Sequence, residues 1–143
     1  MKTSEEIRKI IKSSDMIKAT KKLAICMDHS TAYVMYFTDA GIEEKIMGLK
    51  LTQKQKVLSA EHGEKGVHHK EQHEQSVYYK ELSELIKNYG DVILFGPTEA
   101  KVELFNILRA DRHFEKIKIE LQNADKMTQN QRYAFVKEYF SLE

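Results

Sequence analysis

Apolar residues along this chain form two kinds of pattern, short unbroken runs and longer stretches at helical spacing, and the two alternate. Leu23 to Met27 is an apolar run too short for a helix and reads as a central strand covered on both faces. The turn cluster Asp28-His29-Ser30 follows. Thr31 to Phe37, rich in β-branched and aromatic residues, then reads as the return strand of a hairpin. After Asp39-Ala40-Gly41, Ile42 to Leu51 reads as a third, partly alternating strand carrying polar Glu44 and Lys50. Asp91 to Phe95 is a second unbroken run. It stops at Gly96-Pro97, and a helical pattern opens behind Thr98.

Helical spacing accounts for most of the rest. Ile7, Ile10, Ile11 and Ile17 predict an N-terminal helix over 4–19, with Ser4 as its N-cap and Ser13-Ser14-Asp15 weakening its second half. Tyr78, Leu82, Leu85 and Tyr89 predict a long helix from about Lys70 to Tyr89. Val102, Phe105 and Leu108 predict one face of a helix from Thr98 to Arg109. Ile117, Ile119 and Leu121 alternate as a fifth strand. Thr128-Gln129-Asn130-Gln131 has the form of a capping box and opens a last helix carrying Tyr133, Val136 and Phe140. Residues 52–69 hold few apolar side chains and read as a long loop, a length that in a compact domain goes with function or disorder.

Three strands in a meander, then helix, strand, helix, strand, helix, is the element order of a ribonuclease H-like motif. The predicted fold is α/β: a mixed five-stranded sheet of order 3-2-1-4-5, flanked by helices, with an extra N-terminal helix. Right-handed crossovers make the last two strands parallel to the first. The 143 residues suit one domain, a core over 21–143 preceded by a helical extension over 1–20.

Composition narrows the function classes. Hydrophobic residues make up 41% and charged residues 31%, as in an ordinary globular protein, and the net charge of +1 gives no bulk attraction to nucleic acid. Any contact with RNA is therefore local. No apolar run approaches the ~20 residues that span a bilayer. The first twenty residues, with Glu5, Glu6 and Asp15, do not form a signal peptide. Cys26 is the one cysteine and lies in an apolar run, so it reads as core in a cytoplasmic protein without disulfides.

Three stretches carry a family resemblance: Lys22-Leu23-Ala24-Ile25-Cys26-Met27-Asp28-His29-Ser30-Thr31-Ala32, the junction Phe95-Gly96-Pro97-Thr98-Glu99-Ala100-Lys101, and Ala124-Asp125-Lys126-Met127-Thr128-Gln129-Asn130-Gln131. Over about residues 21–140 the chain resembles small bacterial proteins related to the archaeo-eukaryotic peptide-chain release factors and to Pelota, the ribosome-rescue factor. The likeness is to the middle domain of those factors. In true release factors that domain carries a Gly-Gly-Gln tip before its long helix, which promotes hydrolysis of the peptidyl-tRNA ester. The matching stretch here, Glu61-His62-Gly63-Glu64-Lys65-Gly66-Val67-His68-His69-Lys70-Glu71-Gln72, has two glycines and a glutamine but no such tripeptide. Separate domains for codon reading and GTPase binding are not expected either. The resemblance therefore implies no peptide release. Pelota also lacks the tripeptide and works at the ribosome, so ribosome association is what the resemblance implies.

The candidate chemistry gathers in two places. Lys54, Lys56, Lys65 and Lys70, with His68, can contact RNA phosphates from the loop, although a solvated lysine loop explains them equally. His62, His68, His69 and His73 crowd twelve positions. On a helix His69 and His73 share a face, so with His62 or Glu74 they form a candidate zinc site, against the simpler reading of a polar helix start. At the other place, Gly96 and Thr98 are candidates to hold a phosphate on a helix N-terminus, with Thr98 as a plain N-cap the competing explanation. Asp28 ends the first strand as a nuclease carboxylate does, but the fourth strand ends without a partner carboxylate, and Asp28 reads better as a turn residue. Tyr78, Tyr79 and Tyr133 can stack on bases or serve as core. The reading these residues favour is a non-catalytic, translation-associated protein that docks on ribosome or tRNA through 52–70, in stalled-ribosome rescue or hibernation. A metal-dependent hydrolase using the His62–His73 cluster and a protein-interaction module are the alternatives.

Overall fold

The computed structural model describes residues 21–48 and 64–141, the side chains of 64–71 excepted. The predicted helix over 4–19, and with it the N-terminal extension, lies outside the described residues. β1 (Lys22–Met27), β2 (Thr31–Thr38) and β3 (Gly41–Gly48) form an antiparallel meander. α1 (Glu64–Ile86) leads to β4 (Asp91–Gly96), which pairs parallel with β1. α2 (Ala100–Arg109) and a single 3-10 turn at Arg112–Phe114 lead to β5 (Lys118–Asn123), parallel with β4, and α3 (Gln129–Ser141) follows. The strand order is β3-β2-β1-β4-β5, with the directions expected.

The two unbroken apolar runs are the adjacent central strands. β1 and β4 lie in register from Lys22 opposite Asp91 to Cys26 opposite Phe95, and both are covered on both faces. Successive side chains of a strand point to opposite faces. Leu23, Ile25 and Met27 thus join Tyr78, Leu82 and Ile86 of α1 and Leu104 and Leu108 of α2. Ala24 and Cys26 instead meet Ile93, Phe95 and, from α3, Val136 and Phe140. Burial pushes the Cys26 thiol up to about 11, so it is core and not a nucleophile. No described helix is long and apolar enough to cross a membrane.

Three boundaries differ from expectation. α1 starts at Glu64, not Lys70, so the stretch read as loop to 69 is helical from 64 onward. Among its described side chains the apolar stripe begins only at Tyr78: none of residues 72–77 is buried, while Tyr78, Tyr79, Leu82 and Ile86 are. α1 also ends at Ile86, with Asn88 and Tyr89 closing a tighter turn onto Leu85 and Ile86 carbonyls. α2 starts at Ala100, and its buried face is Ala100, Lys101, Leu104 and Leu108 rather than Val102, Phe105 and Leu108. The capping box of α3 is complete: the Gln131 N–H donates to Thr128 Oγ1 at 3.3 Å and the Thr128 N–H to Gln131 Oε1 at 2.9 Å.

Candidate functional site

The ends of β1 and β4, the start of α2 and the middle of α1 converge at the carboxyl edge of the sheet, the usual ligand side of a parallel arrangement. Gly96 ends β4 at φ +148°, and a Cβ there would lie 2.2 Å from the Met27 carbonyl oxygen. Only glycine permits both the conformation and the approach of β4 to β1. Beyond it, Glu99 rather than Thr98 holds the cap position of α2, with its carbonyl accepting from the Val102 and Glu103 N–H groups. Thr98 stands one residue earlier, and its hydroxyl accepts from the Ala100 N–H at 3.3 Å. The Lys101 ammonium folds back beneath this turn and donates to the Thr98 carbonyl at 2.6 Å, with the residue only 2% exposed. Threonine and lysine thus bind the turn to itself.

The β1–β2 turn is equally self-contained. Asp28 accepts from the Ser30 and Thr31 N–H groups, each at 2.8 Å, and from the Ser30 hydroxyl at 3.0 Å. Partial burial pushes its carboxyl up, and those hydrogen bonds, with help from His29, outweigh it and hold the carboxyl below its usual range. The carboxylate is occupied as a turn residue's is.

A chain of hydrogen bonds joins this turn to both helices. The Tyr78 hydroxyl donates to the Asp28 carbonyl at 3.0 Å. The Tyr79 hydroxyl donates to Glu103 Oε1 at 3.0 Å, and the other Glu103 oxygen lies 2.8 Å from His29 Nε2. His29 lowers the Glu103 carboxyl more than its slight burial raises it, and Tyr79 adds to the lowering. Burial, and then the Glu103 bond, push the Tyr79 phenol up, so it stays a donor. Tyr78 and Tyr79 are 1% and 5% exposed, which rules them out as stacking platforms for bases. Tyr133 is partly buried against the α3 core, its hydroxyl bonded by Gln129. The edge is a clasp between α1, α2 and the β1–β2 turn. Neither fastened carboxylate is set beside an activated nucleophile.

The structure distributes the sequence candidates unevenly. Lys54, Lys56 and His62 lie outside the described residues. Lys65, His68, His69 and Lys70 sit on the first turns of α1, where the backbone alone is described. The helix keeps His69 and His73 at i, i+4, and His73 is exposed. Among the described residues no group of three or more His, Cys, Asp or Glu side chains can hold a metal. At 1.5 Å per residue, the fourteen residues from Glu64 to Tyr78 carry the start of α1 about 20 Å beyond the turn that Tyr78 touches. The basic and histidine-rich stretch is thereby held away from the sheet on a helical arm. His29, Glu103 and buried Lys101 are the residues of this edge that periodicity does not reveal. Lys101 and His29 have a signal, their places in the Gly-Pro-Thr-Glu-Ala-Lys junction and in the Asp-His-Ser turn cluster, and Glu103 has none.

No family model matches the sequence, and no curated protein matches it. Solved structures do share its fold. Pelota from Thermoplasma acidophilum matches 96% of this chain at 16% identity with a TM-score of 0.52. Pelota from Archaeoglobus fulgidus matches 96% at 9% identity and 0.53, and S. cerevisiae Dom34 matches 96% at 10% identity and 0.51. The Dom34 structure is described as that of a translation termination-like factor involved in RNA quality control and interacting with Hbs1. The match takes up 38%, 37% and 39% of those three chains, so this chain spans under two-fifths of their length. The likeness is one of fold, and the resemblance to the Pelota middle domain read from the sequence stands on it.

Proposed function

We propose that this chain is a non-catalytic, translation-associated protein that docks on the ribosome or on tRNA through segment 52–70 and the arm of α1. The observation that carries the reading is the arm itself. On a Pelota-like sheet, a helix starts fourteen residues before Tyr78, its first described buried residue, and carries Lys65, His68 and Lys70 on that stretch, with Lys54 and Lys56 just before it in sequence. Packing does not account for the stretch 72–77, none of whose residues is buried, whereas a reach toward a partner does. Phosphate contact by lysines also suits a protein of near-neutral net charge, since the attraction then works only where the lysines are.

The test is co-sedimentation with ribosomes at low salt, comparing the native protein with a Lys54→Glu, Lys56→Glu, Lys65→Glu, Lys70→Glu variant. The native protein should pellet and lose that association steeply as salt rises, and the variant should stay in the supernatant with an unchanged melting temperature. Equal pelleting would show that the arm is not the contact. No pelleting of either would defeat the ribosome reading and leave tRNA binding, measured by gel shift, as the remaining form of it.

A further inference from the structure

The opposite, amino-terminal edge of the sheet carries an open groove of about 810 Å³ that the clasp and the arm do not touch. It wraps around the edge, from Tyr36 and Tyr89 on the α1 side to Phe37 and Phe140 on the α3 side. Three lysines, Lys21, Lys22 and Lys137, stand among these rings. The Lys21 ammonium lies 5.2 Å from the Tyr89 ring centre and Lys22 5.4 Å from that of Phe140. Phe37 is 43% exposed although it packs edge-on against Phe140, with ring centres 5.5 Å apart. Glu43, beside this lining, is hydrogen-bonded by the Tyr36 hydroxyl.

We propose that this groove is a binding site for single-stranded RNA, in which a base stacks on Phe37 and the flanking phosphates meet Lys21 and Lys137. Aromatic rings interleaved with cations are what an unpaired strand requires, since every base has a π-face and every linkage a negative charge. The volume suits a nucleotide with its neighbouring phosphate. Charge also favours an anionic occupant, since the described lining holds lysines and no acidic side chain. The site is independent of the docking arm.

The test is anisotropy of a fluorescein-labelled decamer of uridine with the full chain. Native protein should bind. Phe37→Ala should weaken binding about tenfold, the effect of removing one stacking ring. Lys137→Glu, a change on an exposed side chain, should weaken it and flatten the slope of log affinity against log salt by about 0.7. The four-lysine variant of the arm should bind as the native protein does, so failure here and failure of ribosome docking are separable. Displacement by uridine monophosphate at equal nucleotide concentration would assign the same subsite to a free nucleotide. The proposal is overturned if native protein does not bind, or if both groove variants, shown folded by circular dichroism, bind unchanged. It is also overturned if a decamer of glutamate displaces the RNA equally well, or if binding appears only after Ile7, Ile10 and Ile11 are changed to serine, which would mean that the chain's own segment fills the groove.

Discussion

The two faces of the sheet are closed by different means. On one, α1 and α2 together cover a cluster of seventeen described buried residues, from Leu23 to Ile119, without a buried charge pair among them. On the other, α3 is the one described helix over a cluster of seven, and an ion pair adds to the cover. The Arg132 guanidinium grips Glu44 of β3 through Nε and Nη2, both at 3.1 Å, donates to the Met127 carbonyl at 3.1 Å, and lies 3.7 Å from the centre of the Tyr33 ring. Their side chains are 8% and 7% exposed. Among the described residues one helix lies over this face: near one end of α3 a long cation reaches the outer strand, and at the other end lies the Phe37 groove. The difference teaches how cover is achieved in this fold. Under two described helices apolar contact closes the face, and under one a buried ion pair takes part.

The largest expected effect tests that account directly. Arg132→Ala should cost about 3–5 kcal/mol, because it leaves the Glu44 carboxylate buried without its partner. The double change Arg132→Met with Glu44→Leu should recover most of the loss, since apolar groups of similar volume need no pairing. Urea denaturation of the three proteins measures both. A loss under about 1 kcal/mol in Arg132→Ala would show that the pair does not close this face.

The next effect ranks the two cores. Leu82, fully buried between α1 and the sheet, should cost about 2–5 kcal/mol when cut to alanine, by lost transfer energy and the cavity left behind. Val136, fully buried on α3, loses only two carbons and should cost about 1.5–2.5 kcal/mol. Equal losses in thermal or urea melts would erase the contrast between the faces.

How far the sequence foretells this molecule follows from the range of each interaction. β1 and β4 are legible because a strand covered on both faces must be apolar throughout, and Leu23 to Met27 and Val92 to Phe95 have no alternative reading. The capping box of α3 is legible because its partners stand three residues apart. The first half of α1 is not legible. Gly66 and the polar residues around it look like loop, and their sequence carries no apolar stripe that would mark the helix they form. Glu44 and Arg132 are 88 residues apart, His29 and Glu103 are 74 apart, and no local pattern announces either pairing. In the sequence Glu44 is only an interruption of a strand. The phosphate candidate at Gly96 and Thr98 was legible as a turn, but not that Lys101 would close it from beneath. The groove is the hardest case. Phe37 reads as core from its place in β2, and its exposed face depends on how far one distant helix reaches.

The smallest expected effect sets the second ion pair against the first. His29 and Glu103 fasten the α1 and α2 face, but their side chains are 46% and 49% exposed. A pair in water gains little, so His29→Ala should cost under about 1 kcal/mol at pH 7, and moderate salt should remove most of that difference. The same salt should leave the cost of Arg132→Ala nearly unchanged, because that pair is out of reach of the solvent ions. Acid provides a further readout. The folded state holds the Glu103 carboxyl below its usual 4.5, chiefly through His29, so the stabilisation is fully present above that value and is lost as pH falls through the folded-state one. Removing His29 brings the carboxyl back toward its usual range, and the variant's stability should therefore fall less between pH 5 and pH 3 than that of the native protein. Tyr79 still donates to Glu103 in the variant, so part of the acid dependence should remain. Denaturant midpoints across that range, at low and at moderate salt, decide the matter. Parallel pH curves for the two proteins would show that His29 is not what lowers Glu103.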